Sequence, residues 1–143
     1  MINQILIYLT QKFSLMKIFN IFFCIVFILF AVLQYNDPDP YLWIPIYLFP
    51  AFLCYYKVIQ KSIHSLIYIG AFLIFGAYAI YKIFDTNGII DWIRYHNASN
   101  IASTMKAEQP WVEESREFFG LLIIIIVLSI NYLKENNSKT KLI

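Results

Sequence analysis

Between Ile18 and Gln34 the chain carries no charged residue. A helix rises 1.5 Å per residue, so a stretch of this length comes within reach of crossing the ~30 Å hydrocarbon layer of a bilayer. Three further apolar stretches follow, at Tyr41–Tyr56, Ser65–Ile83 and Phe118–Leu133, the last centred on Ile123-Ile124-Ile125-Ile126. Lipid offers a backbone no hydrogen-bond partners, so segments of this kind must be helices rather than open strands. Composition agrees. Hydrophobic residues make up 60% of the 143 residues and charged ones only 14%, against about 25% charged in a soluble domain. A soluble fold of this size cannot hide that much apolar surface.

The expected fold class is therefore all-α, an integral membrane four-helix bundle. Its spans are placed at about 18–35, 40–56, 65–83 and 112–133, with a long loop over 84–109. Asp39 and Pro40 are expected to open the second helix, as N-cap and first helical residue. Pro110 is expected to open the last one, with Glu113 and Glu114 in its first turns, where the helix dipole favours acids. Residues 1–16 read as an N-terminal extension or interfacial segment, and residues 134–143 as a tail. Within the loop, Asp85-Thr86-Asn87-Gly88 reads as a turn, and Ile89–Arg94 as a short interfacial helix. Cys24 and Cys54 lie in apolar segments, form no CxxC pair, and are expected to be free thiols.

Orientation follows from the lysines and arginines. One side of the layer holds Lys12, Lys17, Lys57, Lys61, Lys134, Lys139 and Lys141 against a single acid, Glu135. The other holds Lys82, Arg94, Lys106 and Arg116 against eight acids. The positive-inside rule puts the first side, with both termini, in the cytoplasm. Frequent isoleucine, lysine and asparagine suggest AT-rich coding, and the expected location is a bacterial inner membrane. A net charge of +2 gives no reason to expect nucleic acid.

Two polar motifs stand out on the outer side. The first is Gln34-Tyr35-Asn36-Asp37-Pro38-Asp39-Pro40-Tyr41-Leu42-Trp43. Each proline drives the residue before it away from helical geometry, so Asp37 and Asp39 sit in a stiff, extended loop, either as a tight helix–helix turn or as a rigid binding element. The second is Glu113-Glu114-Ser115-Arg116-Glu117, which leads straight into an apolar run. On a helix Glu113, Glu114 and Glu117 crowd one sector, Arg116 follows Glu113 at i,i+3, and Glu117 stands where an unpaired charge is costly and so needs a partner. The candidate polar cluster, binding or structural, is thus Asn36, Asp37, Asp39, Trp43, Glu114, Arg116 and Glu117, with Gln34, Tyr47, His96 and Glu113 as weaker members. No HxxxH, HExxH, glycine-rich phosphate loop or nucleophile–base spacing occurs, so neither metal nor cofactor is expected.

With these motifs in hand, the chain resembles the transmembrane protein 220 family. The resemblance rests on Gln34 to Trp43 around Asn36-Asp37-Pro38-Asp39, continuing to Tyr47 and Pro50, and on Glu114-x-Arg116-Glu117-x-x-Gly120-Leu121. It covers about residues 17–133. It implies a membrane helical bundle and leaves the mechanism open. The reading drawn from the residues is a non-enzymatic accessory or binding module in the lipid bilayer, with a membrane-protein partner or a second copy of itself. The alternative is a membrane-embedded enzyme or ligand- or cation-binding protein using the outer carboxylates and Arg116, followed by a small transporter or pore.

Overall fold

A computed structural model describes the backbone of residues 2–102 and 109–140 and the side chains of 15–102 and 109–137. Lys12, Lys106, Lys139 and Lys141, which entered the charge count, lie outside the described side chains. Every long element among the described residues is an α-helix: α1 (Ile2–Leu33), α2 (Pro40–Val58), α3 (Ser65–Phe84), α4 (Ile89–Tyr95) and α5 (Pro110–Thr140). This is an all-α membrane fold. Among the described residues, three stretches are long and apolar enough to cross a bilayer: Leu15–Asn36, Ser65–Tyr95 and Pro110–Asn137. α2 is not among them, because Tyr41, Pro45, Tyr47, Pro50, Tyr55, Tyr56 and Lys57 dilute its apolar character. The chain divides into two compact units, residues 1–63 and 64–143.

In the first unit α1 and α2 form an antiparallel hairpin. Phe30 meets Tyr47 with ring centroids 5.4 Å apart. Further from the turn, Cys24 and Ile28 line one groove with Ala51, Phe52 and Tyr55. The buried residues of α2 are Trp43, Tyr47, Pro50, Ala51, Leu53 and Cys54. Trp43, Tyr47, Pro50 and Cys54 recur at helical spacing and define its inward stripe. On α1, Phe27 and Ala31 are buried, one turn apart, while Ile18, Ile21, Phe22, Ile25, Ile28, Leu29 and Val32 are exposed, as a lipid-facing surface requires. Both cysteines are free. Pro45 and Pro50 lie inside α2, each removing one helical hydrogen bond, a loss that helices in membranes tolerate.

The turn into α2 follows its prolines at Asp37 but not at Asp39, which sits at φ −129°, ψ 55° instead of the expected extended geometry. Gln34–Asn36 forms a single 3₁₀ turn, and Asp37 is extended at φ −78°, ψ 161°. Pro40 is the first residue of α2 and Asp39 its N-cap, but the Asp39 side chain makes no capping hydrogen bond. Its backbone carbonyl accepts from Leu42 and Trp43 instead. α2 ends in a Schellman pair, Gln60 N–H to Lys57 O and Lys61 N–H to Tyr56 O, around a left-handed Gln60 at φ 61°, where glycine is the usual choice.

In the second unit α3 and α5 are antiparallel. Tyr68 and Phe72 meet Tyr132 at one end, centroids 5.7 and 6.1 Å apart, and Lys82 meets Glu114 at the other. His64 caps α3 by accepting the Leu66 N–H on Nδ1 at 3.3 Å. The buried stripe of α3 runs Tyr68, Ala71, Phe75, Ala79 and Lys82. Opposite it α5 buries Leu121, Ile124, Val127, Leu128 and Asn131. The expected turn is present: Gly88 N–H bonds Asp85 O at 2.9 Å, and Thr86 N–H bonds Asp85 Oδ1 at 2.7 Å. α4 follows it, and Asn97 and Ala98, both left-handed at φ 51° and 50°, end it. α5 runs past Leu133 to Thr140. α1 is helical from Ile2, so its backbone takes in residues 2–16, read above as an N-terminal extension or interfacial segment.

Gly88 has no freedom to become larger. A Cβ there would stand 2.1 Å from the Lys82 carbonyl oxygen and 3.1 Å from that of Asp85. We expect Gly88→Ala to cost about 1–3 kcal/mol through this forced overlap. Gly76 has nothing within 4 Å of an added Cβ, and Gly76→Ala should stabilise by roughly 0.5–1 kcal/mol through reduced backbone entropy. Denaturation of both variants in detergent micelles, beside the parent, checks the pair.

Candidate functional site

The most concentrated charge in the second unit lies where α3 ends and α5 begins. Lys82 is in the last turn of α3, and its side chain continues the buried stripe, 5% exposed overall. An ammonium so placed has few water molecules to solvate it, and it must find anions nearby. Glu114 and Glu117 supply them. They stand three residues apart on α5, hence on one face. Lys82 Nζ donates to Glu114 Oε2 at 2.6 Å, and a second ion pair joins it to Glu117 Oε2. The Tyr78 ring, one turn back on α3, lies 5.2 Å from the ammonium, close enough for a cation–π contribution. One amine thus ties two carboxylates and one ring together. The close approach of Gly88 to the Lys82 carbonyl, described above, ties the following turn to the same residue.

α4 and the residues after it lie against the start of α5. Trp92 meets Phe119 edge-on at 5.8 Å and donates its indole N–H to Ser99 O at 2.9 Å. Arg116 Nε donates to the Ile101 carbonyl at 2.6 Å, anchoring the loop beyond α4. His96 stacks on Trp111 with centroids 4.3 Å apart and planes at 14°, while its Nε2 lies 3.3 Å from Asp91 Oδ2.

The sequence-derived candidates fall as follows. Glu114 and Glu117 are brought together, and the partner expected for Glu117 is Lys82. Glu113 sits half-buried in the first turn of α5. Ser115, between the acids, is fully buried. In the first unit, Gln34 O accepts the Asp37 N–H at 3.1 Å and Asn36 is exposed. Asp39 Oδ1 is buried and accepts no hydrogen bond among the described residues. Trp43 is fully buried with its ring 5.8 Å from that of Tyr47, and Tyr47 packs on Phe30. Sequence reasoning missed Lys82 as a site residue, counting it only as one outer basic charge. The available signal was its register: it follows Tyr68, Ala71, Phe75 and Ala79 on one helix face. Asp91 and Trp111 carried no comparable signal.

A family model described as "Transmembrane family 220, helix" matches residues 26–133, three quarters of the chain. The chain belongs to this family. The match spans the α1–α2 hairpin turn, all of α3 and α4, and α5 through Leu133, so both polar motifs and Lys82 fall inside the transmembrane family 220 region. No curated protein and no solved structure matches the chain.

Within this family region the Lys82 cluster is chemically a lock. Breaking a buried ion pair by removing one partner leaves a charge uncompensated and costs about 3–5 kcal/mol. Lys82→Met should therefore destabilise the protein by about that amount. Adding Glu114→Gln and Glu117→Gln to it should recover a substantial part, because the stranded carboxylates are removed as well. A mutant cycle of detergent melting curves measures both, and additive losses across the three sites would refute the coupling.

Proposed function

We propose that this transmembrane family 220 protein is a non-enzymatic accessory or binding module, with its polar cluster at the extracytoplasmic face of a bacterial inner membrane. The observation that carries the reading is the Lys82–Glu114–Glu117 cluster. Its cation is enclosed by both acids and by Tyr78, an arrangement suited to holding a helix end in a fixed shape and poorly suited to exchanging groups with a substrate. The exposed apolar faces of α1 and α3 support residence in lipid and leave surface for a membrane-protein partner or a second copy.

Four crossings with both termini in the cytoplasm fit this reading. α2 is weakly apolar by composition, but it runs back along α1 for most of its length. Its 19 residues extend about 28 Å as a helix, close to the ~30 Å hydrocarbon thickness. A helix antiparallel to a span and nearly as long as the layer is placed to cross it. Lys57 and Lys61 then share a side with Lys17 and Lys134, as the positive-inside rule requires.

A second reading, a cation-binding protein, is favoured by one observation: the buried Asp39 Oδ1 without a donor among the described residues. A carboxylate oxygen so placed calls for a cation or a water.

Orientation is tested with single cysteines at Lys61 and Asn97 in a background lacking Cys24 and Cys54. An impermeant maleimide should label position 97 in intact cells and position 61 only after permeabilisation, and the reverse pattern would overturn the topology. Native purification followed by mass spectrometry should return the chain with a stoichiometric membrane-protein partner or a second copy. A covalent intermediate or turnover product on the cluster would replace this reading with the enzymatic one. Stabilisation by millimolar calcium that Asp39→Asn abolishes would establish the second reading.

A further inference from the structure

We infer that protonation of His96 fastens α4 to the first turn of α5, making this end of the hairpin a pH-sensitive clasp. The inference does not depend on which face of the membrane the loop occupies or on whether the chain is an accessory module. It rests on two contacts made by one ring. His96 Nε2 lies 3.3 Å from Asp91 Oδ2, and the imidazole plane lies nearly parallel to the Trp111 indole, 4.3 Å from its centroid. A neutral imidazole in this position offers Asp91 at most one hydrogen bond and Trp111 a stacking contact. An imidazolium turns the first into an ion pair and the second into a cation–π contact. Both changes favour the closed arrangement, so they add rather than cancel.

The position explains why this matters to the fold. Asp91 belongs to α4, and Trp111 is the second residue of α5, on the far side of the loop. His96 therefore joins two helices that the chain links only through a long connection. The two left-handed residues that follow, Asn97 and Ala98, end the helix directly after the clasp. The other charged groups at this end of the elements packed here are Arg94, Lys82, Glu113, Glu114, Arg116 and Glu117. On α4, Arg94 is exposed. On α5, Glu114 is tied to Lys82, Arg116 holds the Ile101 carbonyl, and Glu113 stands half-buried in the first turn. On α3, Lys82 is taken by its two acids. Residues 97–102 contain no ionisable side chain. Asp91 Oδ2 is the carboxylate oxygen that lies beside His96 Nε2.

The contact is modest in strength. The histidine and aspartate side chains keep 33% and 21% exposure, so solvent and salt screen the pair. The test is the melting temperature of the full chain in detergent at pH 5.5 and pH 8.0, for the parent, His96→Gln, Asp91→Asn and His64→Gln. The parent should exceed His96→Gln by a margin about 2–4 °C wider at pH 5.5 than at pH 8.0, and 0.5 M salt should narrow it. Asp91→Asn should remove most of the same widening, and it reads the clasp independently if His96→Gln does not fold. His64→Gln, which alters the only other histidine, should leave the widening intact. A margin that is the same at both pH values, or one that follows His64 instead, would overturn the clasp.

Discussion

A charged amine at the end of a lipid-facing helix must be neutralised where it stands, and much of the second unit is arranged to do so for Lys82. Hydrocarbon supplies neither water nor counterions, so an ammonium there is tolerable only with anions in hydrogen-bond contact. Glu114 and Glu117 meet that demand from α5, which sets the register of α5 against α3 at this end. Tyr132, packed on Tyr68 and Phe72, sets it at the other. Between the two points the buried residues are mainly apolar, Ala71, Phe75 and Ala79 on α3 and Leu121, Ile124, Val127 and Leu128 on α5. Polar and aromatic contacts at the ends therefore decide how the helices align, while the apolar middle supplies most of the area buried.

The first unit meets the same solvent with different means. Its hairpin is held by edge-on and tilted ring contacts among Phe30, Tyr47 and Trp43, and by a proline-framed turn. Asp39 is where the turn departs from its prolines. Its ψ of 55° falls short of the extended range that a following proline favours, its side chain makes no capping hydrogen bond, and its backbone carbonyl accepts from Leu42 and Trp43. A carboxylate freed from capping remains available for other contacts, and this gives the first motif its interest as a binding element.

The loop after α3 shows how short-range chemistry can be read and long-range contact cannot. Asp85 to Gly88 forms the turn that its residues dictate, and the alternation of Ile89, Ile90 and Trp92 with Asp91 and Arg94 yields α4. The stacking of His96 on Trp111 could not be anticipated in the same way. The two residues are separated by a long connection without periodicity, and a lone loop histidine gives no hint of what it faces. Lys82 lies between these cases. Its helical register with Ala79, Phe75 and Ala71 marks it as inward-facing, but that inference needs the helix phase, which a largely apolar segment scarcely reveals.

What the sequence by itself determined is the class of solvent and the secondary structure that solvent permits: apolar runs of membrane length, helices as the only way to satisfy their backbones, prolines and glycine at the turns, and acids at the start of α5. These are local properties, set within a few residues by sterics, capping and hydropathy. What only the tertiary structure decided is which polar groups meet: Lys82 with Glu114 and Glu117, Arg116 with the Ile101 carbonyl, His96 with Asp91 and Trp111. Such pairings depend on the rotation and axial offset of one helix against another. In lipid, where apolar residues face outward as readily as inward, the hydrophobic pattern that would reveal rotation in a soluble protein is nearly silent.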